Sequence, residues 1–490
     1  METYINVEED LKGYFVLDQD GTIKEFKHRP PTKILLFPYN TKMEPNLGKV
    51  LKQDLKNFDG YVGKCYRMVL QKDFSNELKS AKNYGEHLKQ TVLENIVAQT
   101  KTEPLLEDKL RAIVDSLYFD ELNLVKYGPQ AQRYLNWATP NNTLDKTAAF
   151  IKDVFIDEEL EKLFAAHDIH EEHMLNQLVN SSLPALKDYD YTLSSYHVLD
   201  QDVVRLFKRD MLYLASNKKS FLNDVEKLFK FYYFFYVSRA VFRLNDFFSP
   251  KDHPLYFTLE EETFSESRRA YDAGWRQLES RIGNLFSHAI GLDLLNHLNL
   301  PGSNKTYDYM ALKQHYEGLD DSAKEILILA VKGISEVYQR YVPDVEGDWQ
   351  DFDDQFVSSL NKRKITDAFE VAVYKLWFMI EYQFEHSGRR KPKGNYANWF
   401  VFFCRENFLK NRGRNGFSLS LNHSMLLFLT KLCIGNHHKI RLKDLWLEYK
   451  ARGISFDDAS QQAIISLFEK INLLEKKSDS GDAQYVKAIL

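Results

Sequence analysis

The stretch 229–237, FKFYYFFYV, is the strongest constraint on what this chain can fold into. It sits inside a helical pattern running from Ser220 toward Phe247, and at 3.6 residues per turn its rings point to nearly every side. A helix that is apolar all round has no face to give to water, so the pattern predicts a central, fully buried helix with other elements wrapped around it. Rings of this kind could also line a ligand box, but core packing accounts for all of them at once. The apolar part, 231–237, is bounded by Lys230 and Arg239 and is far too short to span a bilayer.

The wrapping is expected to be helical. Gly and Pro are scarce, 21 and 13 in 490 residues, and apolar positions recur at helical spacing over 105–117, 144–164, 203–215, 265–286 and 322–341. In 364–386, Ile365, Phe369, Val373, Leu376, Trp377, Ile380 and Phe384 share one face. Strand signals are confined to the two ends. Near the start, 14–18 and 22–26 alternate around Asp20-Gly21, a hairpin turn, and 34–37 reads as a third strand. The fold class expected is mostly α: a β-containing N-terminal region (1–48), a multi-helix body (49–386), a basic connector (387–417) and a C-terminal winged-helix domain (418–490).

The last of these rests on an order of signals. Asn422 can cap a helix over 423–434, with Met425, Phe428, Leu429 and Leu432 inward and Gly435 beyond its end. A short strand, 439–442, precedes a second helix, 443–452, with Leu445, Trp446 and Tyr449 inward and Gly453 as its stop. Asp457 caps a third helix carrying Ile464, Leu467, Phe468 and Ile471, and a hairpin turning at 479–481 follows. Helix, strand, helix, helix, hairpin is the order of a winged helix. In a DNA-binding reading the third helix offers Gln461, Gln462 and Ser466 to the major groove, and Lys476 and Lys477 meet phosphate. In the competing reading the module docks protein, because Asp457 and Asp458 stand where phosphate would approach.

Charge follows the same division. The net charge is −5, yet from Arg389 onward 18 Lys and Arg face 9 Asp and Glu, which leaves −14 on the first 388 residues. Any nucleic-acid contact is therefore expected in the basic tail, as a separable part of the chain. In the connector, Arg389, Arg390, Lys391, Lys393, Arg405, Lys410, Arg412 and Arg414 oppose only Glu406. Its aromatics, Tyr396, Trp399, Phe400, Phe403 and Phe408, read as core. Its basic ends, 389–393 and 412–414, read as phosphate contacts to double-stranded DNA.

Other strings fall short of a chemistry. Gly60-Tyr61-Val62-Gly63-Lys64-Cys65 lacks the spacing and the terminal hydroxyl of a phosphate loop. His167, His170 and His173 do not make HExxH, and Asp344, Glu346, Asp348, Asp351, Asp353 and Asp354 lack the EF-hand spacing. Glu475-Lys476-Lys477 fits half of a nuclease motif, which keeps a metal-dependent nuclease as an alternative; a stand-alone winged-helix regulator is another. Cys65, Cys404 and Cys433 form no CxxC pair, which suits a reducing cytoplasm, and the acidic METYINVEED start lacks the core of a secretory leader. No cofactor, metal or catalytic residue is expected.

The string LLEKKSDSGDAQYV (473–486) resembles the C-terminus of the DNA phosphorothioation-dependent restriction protein DptG family. The aromatic run 231–237 and PLYFTL (254–259) are similar to that family as well. The resemblance implies a bacterial defence component that acts with DptF and DptH to restrict DNA lacking the phosphorothioate modification, the motor function residing in those partners. It brings no catalytic residues with it.

Overall fold

The aromatic run occupies the middle of a 29-residue helix, Lys218–Asp246, begun by the Asn217 side chain accepting from Ser220 N at 3.0 Å. Nineteen of its residues are buried, on all sides, as a helix without a polar face requires. Gln201–Ala215 lies along it, and Arg390–Asn407 brings Trp399, Phe400 and Phe403 against Tyr233 and Phe234. The computed structural model describes residues 6–38, 40–42, 49–137, 142–166, 173–191, 195–298, 305–347, 349–476 and 484–489.

The chain is mostly helical. Where it departs from the sequence expectation, local chemistry gives the reason. The pattern 144–164 splits into Asn142–Phe155 and Glu158–Ala166, because Asp157 turns its carboxylate onto Leu160 N at 3.0 Å and starts a new helix. The pattern 265–286 breaks into Arg269–Asp272, Trp275–Ile282 and Leu285–His297. Gly274 makes the first break, since a Cβ there would lie 2.4 Å from Ala270 O and 3.0 Å from Tyr256 O. The helix expected over 364–386 starts only at Ala368, with Asp367 as its cap. The strand expected at 34–37 is reduced to one bridge, Leu35 to Tyr196. The N-terminal hairpin is present, Phe15–Leu17 against Ile23–Phe26, with Gly21 at φ +86° in its turn.

Buried side chains from Leu11 to Val486 form one continuous cluster, so the N-terminal region, body, connector and tail share a core. The N-terminal segment is held by Asp293, fully buried, which accepts from Thr32 N, Lys33 N and Ile34 N at 2.9, 2.7 and 3.2 Å and from the Tyr14 hydroxyl. A smaller cluster of its own lies under Tyr84–Thr100, Pro104–Tyr118 and Met174–Ser182.

Two sheets involve the C-terminal part. In the first, Leu255–Leu259 of the body is central: Ile454–Phe456 runs parallel on one side, Phe417–Leu421 parallel on the other, and Leu409–Asn411 closes it antiparallel. In the second, Gln484–Lys487 lies between Lys439–Arg441 and Leu474–Lys476, all antiparallel. The tail thus has a sheet of its own and also flanks a strand of the body. Among the described residues, no helix is long and apolar enough to cross a membrane.

Candidate nucleic-acid interface

The caps expected in the tail are in place. Asn422 accepts from Met425 N at 2.8 Å, and Asp457 accepts from Ser460 N at 3.1 Å. The helices are His423–Ile434, Leu442–Ala451 and Asp458–Lys470. Ile464 and Phe468 bury the inner side of the third helix, while Asp458, Ala459, Gln462, Ser466, Glu469 and Lys470 are its exposed residues.

The N-terminal end of that helix is engaged by the body. The Arg268 guanidinium donates to Asp457 at 3.1 and 2.6 Å and to Ser460 Oγ at 2.6 Å, and pairs with Glu262 at 2.8 Å. Burial alone would raise the Asp457 pKa; Arg268 and the Ser460 hydrogen bonds together outweigh it and hold the carboxyl below its ordinary range. Of the two anions that argued against phosphate contact, Asp457 is neutralised within the chain and Asp458 remains exposed. Gln461, one of the three expected base readers, turns back to donate to Phe456 O at 3.0 Å, and Gln462 and Ser466 face out.

The basic residues expected to meet phosphate separate into different roles. Lys393 is only 6% exposed and is held by Glu381 and Glu385, one helix upstream. Arg390 pairs with Glu385 at 3.4 Å, and Lys391 is exposed. Arg389 lies half-buried near His28, whose pKa is driven down to about 3 by burial first and by that guanidinium second. Arg412 is committed to the body: it donates to Glu262 O at 2.9 Å, Leu259 O at 3.1 Å, Thr258 Oγ1 at 3.0 Å and Ser418 Oγ at 3.0 Å. Arg414 is exposed and makes no ion pair among the described residues. The first basic end occupies the start of the 18-residue helix Arg390–Asn407, about 27 Å long, and the second follows its far end, after the strand Leu409–Asn411. Lys476, in the strand Leu474–Lys476, pairs with Glu469 at 2.5 Å, and Lys477 lies outside the described residues.

Three cations that the sequence reading passed over are better placed. Arg441, Lys443 and Lys470 are exposed and unpaired among the described residues. The signal was present: HHKIRLK, 437–443, contains no acid.

The geometry also bears on the chemical readings. Gly63 sits inside the helix Asp59–Val69, where a Cβ would meet Leu135 O at 2.1 Å, so its glycine serves close packing. Glu475, the acid of the nuclease half-motif, is clasped by Lys439 at 2.8 and 2.9 Å. His253 has both ring nitrogens engaged, Nε2 with Asp246 at 2.8 Å and Nδ1 with Gln277 at 3.0 Å, leaving neither open to act as a base. Burial pushes the Cys65 and Cys433 thiols up to about 12, far from nucleophilic. His167 and His170 lie outside the described residues, as does Asp348; His173 precedes Met174–Ser182. Among the described residues no group of three or more His, Cys, Asp or Glu is arranged to hold a metal ion.

Compared with protein-family models and with curated proteins, the chain matches none.

Proposed function

We propose that the chain is a non-catalytic DNA-binding and scaffolding subunit of a multiprotein DNA restriction complex. The DNA half rests on the tail. Its helices His423–Ile434, Leu442–Ala451 and Asp458–Lys470, with the strand Lys439–Arg441 beside Gln484–Lys487, support a winged-helix reading in which Ile454–Phe456, between the last two helices, is an added strand given to the body's sheet; the outer face of the third helix is exposed. That free face carries the reading: Gln462 and Ser466 offer hydrogen bonds to base edges, and Lys470, with Lys443 and Arg441, supplies charge for phosphate.

The scaffolding half is supported by the large acidic body sharing one core with this tail. The assignment to phosphorothioation-dependent restriction, with DptF-like and DptH-like partners, rests on the resemblance of the three strings to the DptG family. Two of those strings occupy the central helix and the central sheet strand, positions where folding alone constrains sequence.

The test uses the full chain on a labelled duplex over a salt series. Affinity should fall linearly with salt on logarithmic axes, and Lys470→Glu with Lys443→Glu should weaken binding to any sequence. Affinity indifferent to both would end the DNA half. Copurification of DptF-like and DptH-like subunits with the native chain tests the other half.

A further inference from the structure

The helix Pro104–Tyr118 gives Val114 and Tyr118 to the smaller core cluster, with Leu110 packed beside them, and lies against Tyr84–Thr100. Its other face is apolar and uncovered: Leu105 is 89% exposed, Leu106 47%, Ile113 52% and Leu117 54%. Among the described residues no other helix exposes more than two large apolar side chains. At 3.6 residues per turn these four fall within an arc of about 120°, the width of a face that packs on another element. A contiguous apolar patch with a polar rim marks a contact surface.

One charge interrupts the stripe. Lys109 is exposed and makes no ion pair among the described residues. Its neighbours at i−4, i−3, i+3 and i+4 are Leu105, Leu106, Ala112 and Ile113, all apolar. The acids within the helix lie elsewhere: Glu107, Asp108 and Asp115 stand about 120° or more round the axis from Ile113, and Asp115 is held by Lys89 at 2.5 Å. The stripe thus contains a cation and no anion.

That composition selects among occupants. A second copy would set the stripe against itself and bury two lysines with no carboxylate between them. Nucleic acid would meet one cation, a row of apolar side chains and the acids beside them. We infer that this face docks an amphipathic helix of a partner protein that carries a Glu or Asp within its own apolar face, opposite Lys109. Leu105, Leu106, Ile113 and Leu117 then seat the partner's apolar residues, and the ion pair sets its register, as a polar residue in a helix seam does. A lysine placed only to keep copies apart would need no carboxylate opposite it, and the charge of the partner separates the two cases. The inference rests on the scaffolding half of the proposed function and not on its DNA half.

The experiment selects a phage-displayed library of helix-forming peptides on the full chain. Enriched peptides should carry apolar residues at spacings of three and four with one Glu or Asp among them. They should bind roughly ten-fold or more weakly to Ile113→Asp and to Lys109→Glu, both substitutions at exposed positions. Lys109→Glu should regain binding to the peptide whose carboxylate is exchanged for lysine, a recovery that also shows the variant to be folded. Failure to enrich peptides that depend on Ile113, or peptides indifferent to Lys109→Glu, would overturn the inference. Sedimentation showing a dimer of the unsubstituted chain that dissociates in Ile113→Asp would overturn it in favour of a second copy. Copurification of the restriction subunits tests the scaffolding half by itself, so subunits that copurify while the peptides fail would sink this site alone.

Discussion

Asp210 and Arg452, 242 residues apart, face each other as a bidentate pair at 2.8 and 3.0 Å with both side chains buried. Tyr232 of the central helix donates to the same carboxylate at 2.6 Å, and Arg452 also donates to Leu432 O at 3.2 Å. Body, central helix and tail therefore meet at one ionic point. Removing one partner leaves the other charged and dry, so Arg452→Met should cost about 3–5 kcal/mol. Replacing both, as Asp210→Leu with Arg452→Met, should recover much of that, since a matched apolar pair has no desolvated charge to satisfy. Denaturant unfolding of the single and double variants measures it; equal losses in both would remove the pair from the account of how the tail is held.

Acid should destabilise the chain through histidines. His28 is buried and neutral down to about pH 3, and burial takes His288 well below its ordinary value too. Both folded values lie beneath that of an exposed imidazole, so below about pH 6.5 the unfolded chain binds protons that the folded chain refuses. Stability from these groups is present above that pH and is lost as pH falls, by about 1.4 kcal/mol per pH unit for each histidine. His28→Phe should remove one proton's share of the slope between about pH 6 and 4. An unchanged slope would mean that His28 is protonated in the folded state.

Much of the architecture could be read from local pattern. A helix with rings on every side has one place to go, and Asn422 and Asp457 announce helix starts because their side chains satisfy amides three residues on. The central sheet could not be read that way. Leu255–Leu259 pairs with Phe417–Leu421 and Ile454–Phe456, and parallel pairing across such separations leaves no turn signal. The basic ends misled for a related reason. A lysine such as Lys393 reads as solvated unless one knows that the preceding helix returns Glu381 and Glu385 beside it. Arg412 reads as a phosphate contact until carbonyls of the body fill its fork.

That division of roles predicts a contrast among single lysines. Lys470→Glu should weaken duplex binding and reduce the salt slope by about one ion, because an exposed, unpaired cation acts through released counterions. Lys393→Met should leave affinity unchanged and lower the melting temperature, since Glu381 and Glu385 lose a buried partner. Titrations and melts on the same two preparations give the comparison. A reversed pattern would return phosphate contact to the connector.

The last expectation concerns the tail as a fragment. Residues 388–490 carry the basic charge and a three-stranded sheet of their own, which suggests a part that folds and binds alone. The sheet argues otherwise. Without Leu255–Leu259, Phe417–Leu421 and Ile454–Phe456 lose the strand between them and expose edges on both sides. Arg412 loses its acceptors at 258–262, Asp457 loses Arg268, and Arg452 loses Asp210. Each loss strands a polar or charged group whose partner was supplied by the body, and a domain of that size has little stability in reserve. The fragment should therefore lack a cooperative melt and most of the DNA affinity of the full chain, and coexpression with residues 1–386 should restore both. Circular dichroism melts and duplex titrations of the fragment, alone and coexpressed, decide between the two pictures: a fragment that melts cooperatively and binds by itself would show that the three-stranded sheet and its helices suffice.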